Sequence, residues 1–223
     1  MAQPHEESPD GLTRLALFPL NLVLFPGMEL PLHIFEERYK DMIGECLEQD
    51  VPFGVVLIKE GLEVGAPADP ERIGTSTRIL RSEILDQGRM NIVTKGERRF
   101  EIEEIIQRVP YVVGRVRFLV ELEGEGCAEL IPQINDEYVD LVKNLTALTG
   151  GYTSRVEIPE DPIELSYAIA GNLNLEPHLR QSLLVTETAA TRLFDLIPLL
   201  KQGNETLREQ ITKQNPFQGN RLN

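Results

Sequence analysis

His33 is the residue whose type most invites chemistry. It stands between Leu32 and Ile34, three residues ahead of Glu36. An imidazole beside a carboxylate is the pair that a general base needs. The carboxylate fixes the ring while the ring takes a proton. Such a base also needs a nucleophile within hydrogen-bond reach, and no serine, cysteine or threonine signature accompanies this one. His33 is therefore assigned a structural role, bonding to backbone where a strand becomes a helix. The other two histidines, His5 and His178, stand alone, without H-x-x-x-H or H-E-x-x-H spacing, so no metal site is expected. Cys46 and Cys127 lie far apart and belong to no CxxC pair, and Cys46 reads as a small buried hydrophobe in a helical pattern. The chain contains no G-x-x-x-x-G-K-[ST] phosphate loop and no G-x-S-x-G elbow. No catalytic residue and no cofactor are expected.

Three further polar residues are set among apolar ones: Glu36, Arg38 and Arg99. A partly buried Glu36–Arg99 pair would tie a helix to a sheet, with the planar guanidinium suited to bidentate contact. Arg78, Arg81, Arg98, Arg108, Arg115 and Arg117 crowd the same part of the chain and could touch phosphates. The formal net charge of -14 and the pI of about 4.7 oppose a polyanionic partner, so these arginines read as solvated strand faces.

The elements that must hold these residues follow from periodicity. Leu15, Leu17 and Leu20 lead into Leu22-Val23-Leu24-Phe25 as strand-like material. Pro26-Gly27 then suits a type II turn, because Pro presets the first central dihedral and Gly accepts positive φ at the second. Leu30, Leu32 and Ile34 alternate as in a half-buried strand. A helix is predicted over Phe35–Gln49, with acidic residues in its first turn. Phe53–Ile58 reads as a strand buried on both faces. Gly- and Pro-punctuated strands then continue to about Val120, with Asp86-Gln87-Gly88 as a turn and Gly96 as a bulge or turn. That pattern suggests a barrel or pseudo-barrel with one early helix.

After the acidic stretch 121–126 the period changes. Ile131, Ile134, Tyr138, Leu141, Leu145 and Leu148 are spaced by three and four, a helical stripe ended by Gly150-Gly151. Further helices are predicted over Ile163–Leu173, over Pro177–Val185 and from about Thr186–Thr188, the last kinked or broken at Pro198. No apolar run approaches the length of a membrane span, and the first residues do not read as a signal peptide. A cytoplasmic protein is expected.

Several separated pieces resemble one family. LFPLNLVLFPGMELPLHIFEERYKDMI, FGVVLI, IGTSTRI, GERRFEI and PYVVGRV occur in the order seen in the Lon protease N-terminal (substrate-binding) domain. Gln181-Ser-Leu-Leu184 and Thr191-Arg-Leu193 are similar to its Q-x-L-L and R-L elements. The resemblance implies an α+β fold: a PUA-like β pseudo-barrel over 12–122, then a helical bundle over 128–213, with flexible tails at 1–11 and 214–223. In full Lon proteases this region recruits unfolded or tagged polypeptide and helps assemble a hexamer. ATPase and Ser-Lys protease modules do the rest, and neither is expected here.

The expected function is thus a non-enzymatic module or adaptor for unfolded or extended polypeptide, working with or without a separate protease. Leu24, Phe25, Met28 and Phe53 are the expected binding patch. Pro26, Gly27, His33, Glu36, Arg38 and Arg99 are expected to shape the motif. The alternatives are an RNA-binding PUA-like module, or a scaffold for a small-molecule or protein partner of the kind the cereblon family provides. No membrane partner is expected, and an oligomer is left open.

Overall fold

A computed structural model describes residues 11–62, 68–151 and 156–214. The tails expected at 1–11 and 214–223 lie almost wholly outside the described residues. The chain divides into two units, one of Met1–Val120 with Glu176–Val185, the other of Glu121–Leu175 with Thr186–Asn223. The helical subdomain expected over 128–213 is therefore interrupted, because one of its helices belongs to the first unit.

The first unit is a ring of strands: β1 (Thr13–Leu20), β2 (Glu29–Ile34), β3 (Phe53–Glu60), β4 (Asp69–Pro70), β5 (Ile73–Ile84), β6 (Met90–Gln107) and β7 (Val112–Phe118). The order β1-β7-β6-β5-β3 is antiparallel throughout, and a parallel β1–β3 pairing closes it. Inward residues alternate along each strand and fill the ring, with Leu15, Leu17, Val56, Phe100, Val112 and Val116 buried together. The expected pseudo-barrel is what the residues build.

α1 (Glu37–Gln49) covers a second apolar cluster with Tyr39, Met42, Ile43 and Cys46. These four fall on one face at helical spacing, and Glu37 sits in the first turn where the helix dipole favours it. Asp50 ends the helix in the left-handed region at φ 50°.

Leu22–Phe25 reads as a strand yet forms none; its Val23 and Leu24 carbonyls accept from side chains, those of Arg180 and Thr75. The Thr75 hydroxyl donates to the Leu24 carbonyl at 2.6 Å, and Gly27 N–H donates to Gly96 O at 2.8 Å. The turn itself is as expected, with Met28 N–H bonded to Phe25 O at 3.1 Å and Gly27 at φ 81°. Gly96 lies against this turn so closely that a Cβ there would sit 2.4 Å from the Phe25 oxygen.

α4 (Pro177–Val185) also belongs to the first unit. The second unit holds α2 (Cys127–Leu148), α3 (Pro162–Asn172) and α5 (Ala189–Gln214). Asp161 caps α3 by accepting from Ile163 N at 2.8 Å and Glu164 N at 2.9 Å. α2 and α5 pack along an apolar seam that includes Ile134, Tyr138, Leu141, Leu196 and Leu200. One buried polar residue interrupts it: Asn204 accepts from Asn144 Nδ2 at 3.0 Å and donates to Glu137 O at 2.9 Å. Such a side chain costs stability unless the two helices keep one register. α5 continues through Pro198 as one helix, so the expected break does not occur. Phe194 and Pro198 are both exposed, so the carbonyl that Pro198 frees can be met by water.

Candidate functional site

The patch expected from sequence is not a surface. Leu24, Phe25 and Phe53 are at most 1% exposed and belong to the core, and Met28 is half-buried. Their irregular setting made them look available, but large apolar side chains in a closed ring are the ones that fill it. The expected Glu36–Arg99 pair is absent as well. Glu36, on the residue before α1, accepts from Arg38 at 3.0 Å, and the Arg38 guanidinium lies 4.5 Å over the Tyr39 ring.

Arg99 is 2% exposed and donates to the Leu184 carbonyl at 2.7 Å. It thereby satisfies the end of α4, where helix carbonyls lack intrahelical partners. Two more residues fasten the same helix. Gln181 donates to Ile73 O at 2.9 Å, and Arg180 donates to Val23 O at 3.3 Å while lying 4.9 Å over the Phe25 ring. The Q-x-L-L element thus has a physical meaning: it docks a helix to strand backbone. Arg192 of the R-L element does comparable work in the second unit. It is fully buried, donates to Ser166 Oγ and Thr186 O at 2.8 Å each, and lies 4.1 Å over the Tyr167 ring.

A small cleft beside α1 holds Cys46, Glu45 and Tyr111. The Tyr111 hydroxyl donates to Glu45 at 2.8 Å. Burial, reinforced by the Glu45 carboxylate, pushes the Cys46 thiol up to about 12. The thiol is held protonated, which makes Cys46 a poor nucleophile. His33 shows no catalytic arrangement: its Nδ1 pairs with Asn91 Oδ1 at 2.8 Å, not with backbone as expected, and its ring stacks on Phe35 at 6.0 Å. Among the described residues no group of His, Cys, Asp and Glu could hold a metal ion.

An open concave surface of the first unit lies elsewhere, on three adjoining strands. The first half of β6 pairs with β2 on one side and with the second half of β5 on the other. Register puts Pro31 beside Val93 and Arg81, and His33 beside Asn91 and Glu83. Alternation then points all six side chains to one face, away from the buried Leu30, Ile34, Met90 and Ile92. On this face lies an open groove of 440 Å³ lined by these residues. Its floor is mainly apolar, and the half-exposed Phe35 stacks on His33 of its lining. None of Pro31, Arg81, Glu83, Asn91 or Val93 was singled out for this role by sequence. The available signal was the odd-numbered polar and small residues of β2 and β6, which alternate with buried ones.

The residues 14–202 match the family described as the ATP-dependent protease La (LON) substrate-binding domain. The chain belongs to that family. This Lon-type domain is 26% identical over 209 residues to a Lon protease of Cytophaga hutchinsonii, covering 89% of this chain and 26% of that protein. It is 28% identical over 213 residues to a Lon protease of Roseiflexus castenholzii, covering 92% of this chain and 26% of that protein. The chain thus spans about a quarter of these relatives. The crystal structure of a Lon N-terminal domain protein from Xanthomonas campestris superposes with a TM-score of 0.62 at 26% identity, over 83% of this chain and 98% of that one. The N-terminal domain of the Mycobacterium avium complex Lon protease shares the fold, with a TM-score of 0.66 at 18% identity over 85% of this chain and 98% of that one. No described helix of the Lon-type domain is long and apolar enough to cross a membrane.

Proposed function

We propose that this Lon-type domain recognises unfolded or extended polypeptide, and that the contact is made on the outer face of β2, β6 and β5. The observation that carries this reading is the open groove whose floor is Pro31 and Val93 and whose rim carries both charge signs, Arg81 and Glu83. Three strands spaced about 4.8 Å apart give a trough wide enough for one extended chain. A mainly apolar floor accepts any small or medium apolar side chain without demanding a sequence. Membership of a substrate-binding family supports the same reading. It also makes a separate protease a natural recipient of the captured chain, since the relatives are named as proteases.

The RNA-binding alternative finds less support. Arg78 is paired with Asp50 and Glu97, Arg108 with Asp69, Arg117 with Glu103, and Arg72 with Glu101. A strand face so neutralised offers few free cations to phosphate.

The test is titration of a permanently unfolded, labelled protein with the wild-type chain and with Val93→Asp. Val93 is half-buried on the outer face, so a carboxylate there spoils the floor without entering the core. Affinity is expected to fall at least about tenfold at unchanged melting temperature. Equal affinity in the variant, or no wild-type complex at about 100 µM, would overturn the assignment.

A further inference from the structure

The second half of β5 is an open strand edge. β3 pairs with β5 only from Thr75 to Thr77, after which β5 continues to Ile84 with β6 as its one strand partner among the described residues. All five residues from Leu80 to Ile84 are exposed, Leu80 at 47% and Ile84 at 76%. Unpaired backbone donors and acceptors beside exposed apolar side chains form a template for another strand. β2, at the other side of the ribbon, carries Pro31, which has no N–H to offer and is typical of edges closed to pairing.

The phase of the edge can be read from one bond. Leu85 N–H donates to Arg89 O at 2.7 Å, closing the β5–β6 hairpin. Backbone groups alternate sides along a strand, so Glu83 turns its N–H and C=O toward β6, while Ser82 and Ile84 turn theirs to the open edge. The side chains follow the other alternation. Arg81 and Glu83 project together on the outer face, and neither has an ion-pair partner among the described residues.

We propose that this edge pairs antiparallel with the same edge of a second copy of the chain, on a two-fold axis through Ser82. Only an isologous contact places each residue against its mirror position. About Ser82, Arg81 falls opposite the partner's Glu83, and Glu83 opposite the partner's Arg81. The regular part of the edge runs from Arg81 to Ile84, since a register shift between Ile79 and Arg81 leaves Leu80 out of the alternation. The two Ser82 residues exchange both backbone bonds. The pair Arg81–Glu83 is a non-hydrogen-bonded one, in which facing side chains come closest. A protective edge of like charges would repel its own copy. Opposite signs two residues apart, centred on a small polar residue, attract it. The result is a continuous six-stranded sheet with two grooves on one face. This inference does not depend on what the grooves bind.

Sedimentation of the full chain tests it. The wild type is expected to dimerise at about 100 µM or below. Arg81→Glu places like charges at two symmetric positions and is expected to weaken dimerisation at least about tenfold. The double exchange Arg81→Glu with Glu83→Arg restores opposite signs and should restore the dimer, which also shows that the altered surface folds. Ser82→Pro removes an edge-facing donor only and should give a monomer. A wild type that stays monomeric at that concentration, or a dimer indifferent to Arg81→Glu and Ser82→Pro, would overturn the proposal.

Discussion

Cys46 and Glu45 stand side by side on α1 with Tyr111 against Glu45, and burial together with that carboxylate keeps the thiol and the phenol protonated. The Cys46 thiol rises from 9.0 to about 12, and the Tyr111 phenol from 10.0 to about 12. Folding therefore favours the proton-bound form of each. The sign is fixed by linkage: this contribution is complete below pH 9, where the unfolded thiol is still protonated, and is lost as pH rises toward 12. Urea unfolding midpoints should fall steadily from about pH 9 upward. Cys46→Ala and Tyr111→Phe should each flatten that fall. A slope unchanged in both variants would assign the alkaline loss to other groups. Burial of Cys46 was legible in the sequence, because its place in a three-four apolar spacing marks the inner face of a helix. The partner of Arg99 was not legible. Leu184 lies far along the chain, and a backbone carbonyl carries no side-chain signature that sequence could reveal.

At the scale of elements, α4 shows how much a helix can depend on side chains from the sheet. Its own apolar pattern is short, with Leu183 and Leu184 as its buried apolar residues. Hydrogen bonds from charged donors contribute about 1.5–3 kcal/mol each. Arg99→Met keeps the bulk of the side chain but leaves the Leu184 carbonyl without its charged donor. The variant should lose about 2–3 kcal/mol. Amide exchange over Pro177–Val185 should quicken more than exchange in β6. Undiminished protection of that helix would mean that Arg99 does not hold it. Helix and strand positions were mostly readable from periodicity, as α1 and β2 illustrate. Leu22–Phe25 was not, because the Thr75 hydroxyl and the Arg180 guanidinium take its carbonyls from positions that sequence order does not bring near.

The whole molecule is strongly acidic, with a formal net charge of -14. Any long client passes through that field before reaching the groove. Between about 10 and 100 mM salt the screening length falls from about 30 to about 10 Å. Capture of an acidic unfolded protein should therefore strengthen over that range, and capture of a basic one should weaken. Two clients of opposite charge responding alike would show that long-range charge does not govern encounter. The fold was legible at this scale because strands and helices occupy successive blocks of sequence. The groove was not, since its residues come from three strands and acquire a common face only through register.

The return of α4 to the first unit has a consequence for synthesis. Arg99 and Leu184 are 85 positions apart. At about 5–20 residues per second, Arg99 is made about 4–17 s before the carbonyl it serves. During that interval the ring of strands can close, but its buried guanidinium lacks this acceptor. Translation rate through residues 121–175 thus sets how long the nascent first unit waits, incomplete, for its final helix.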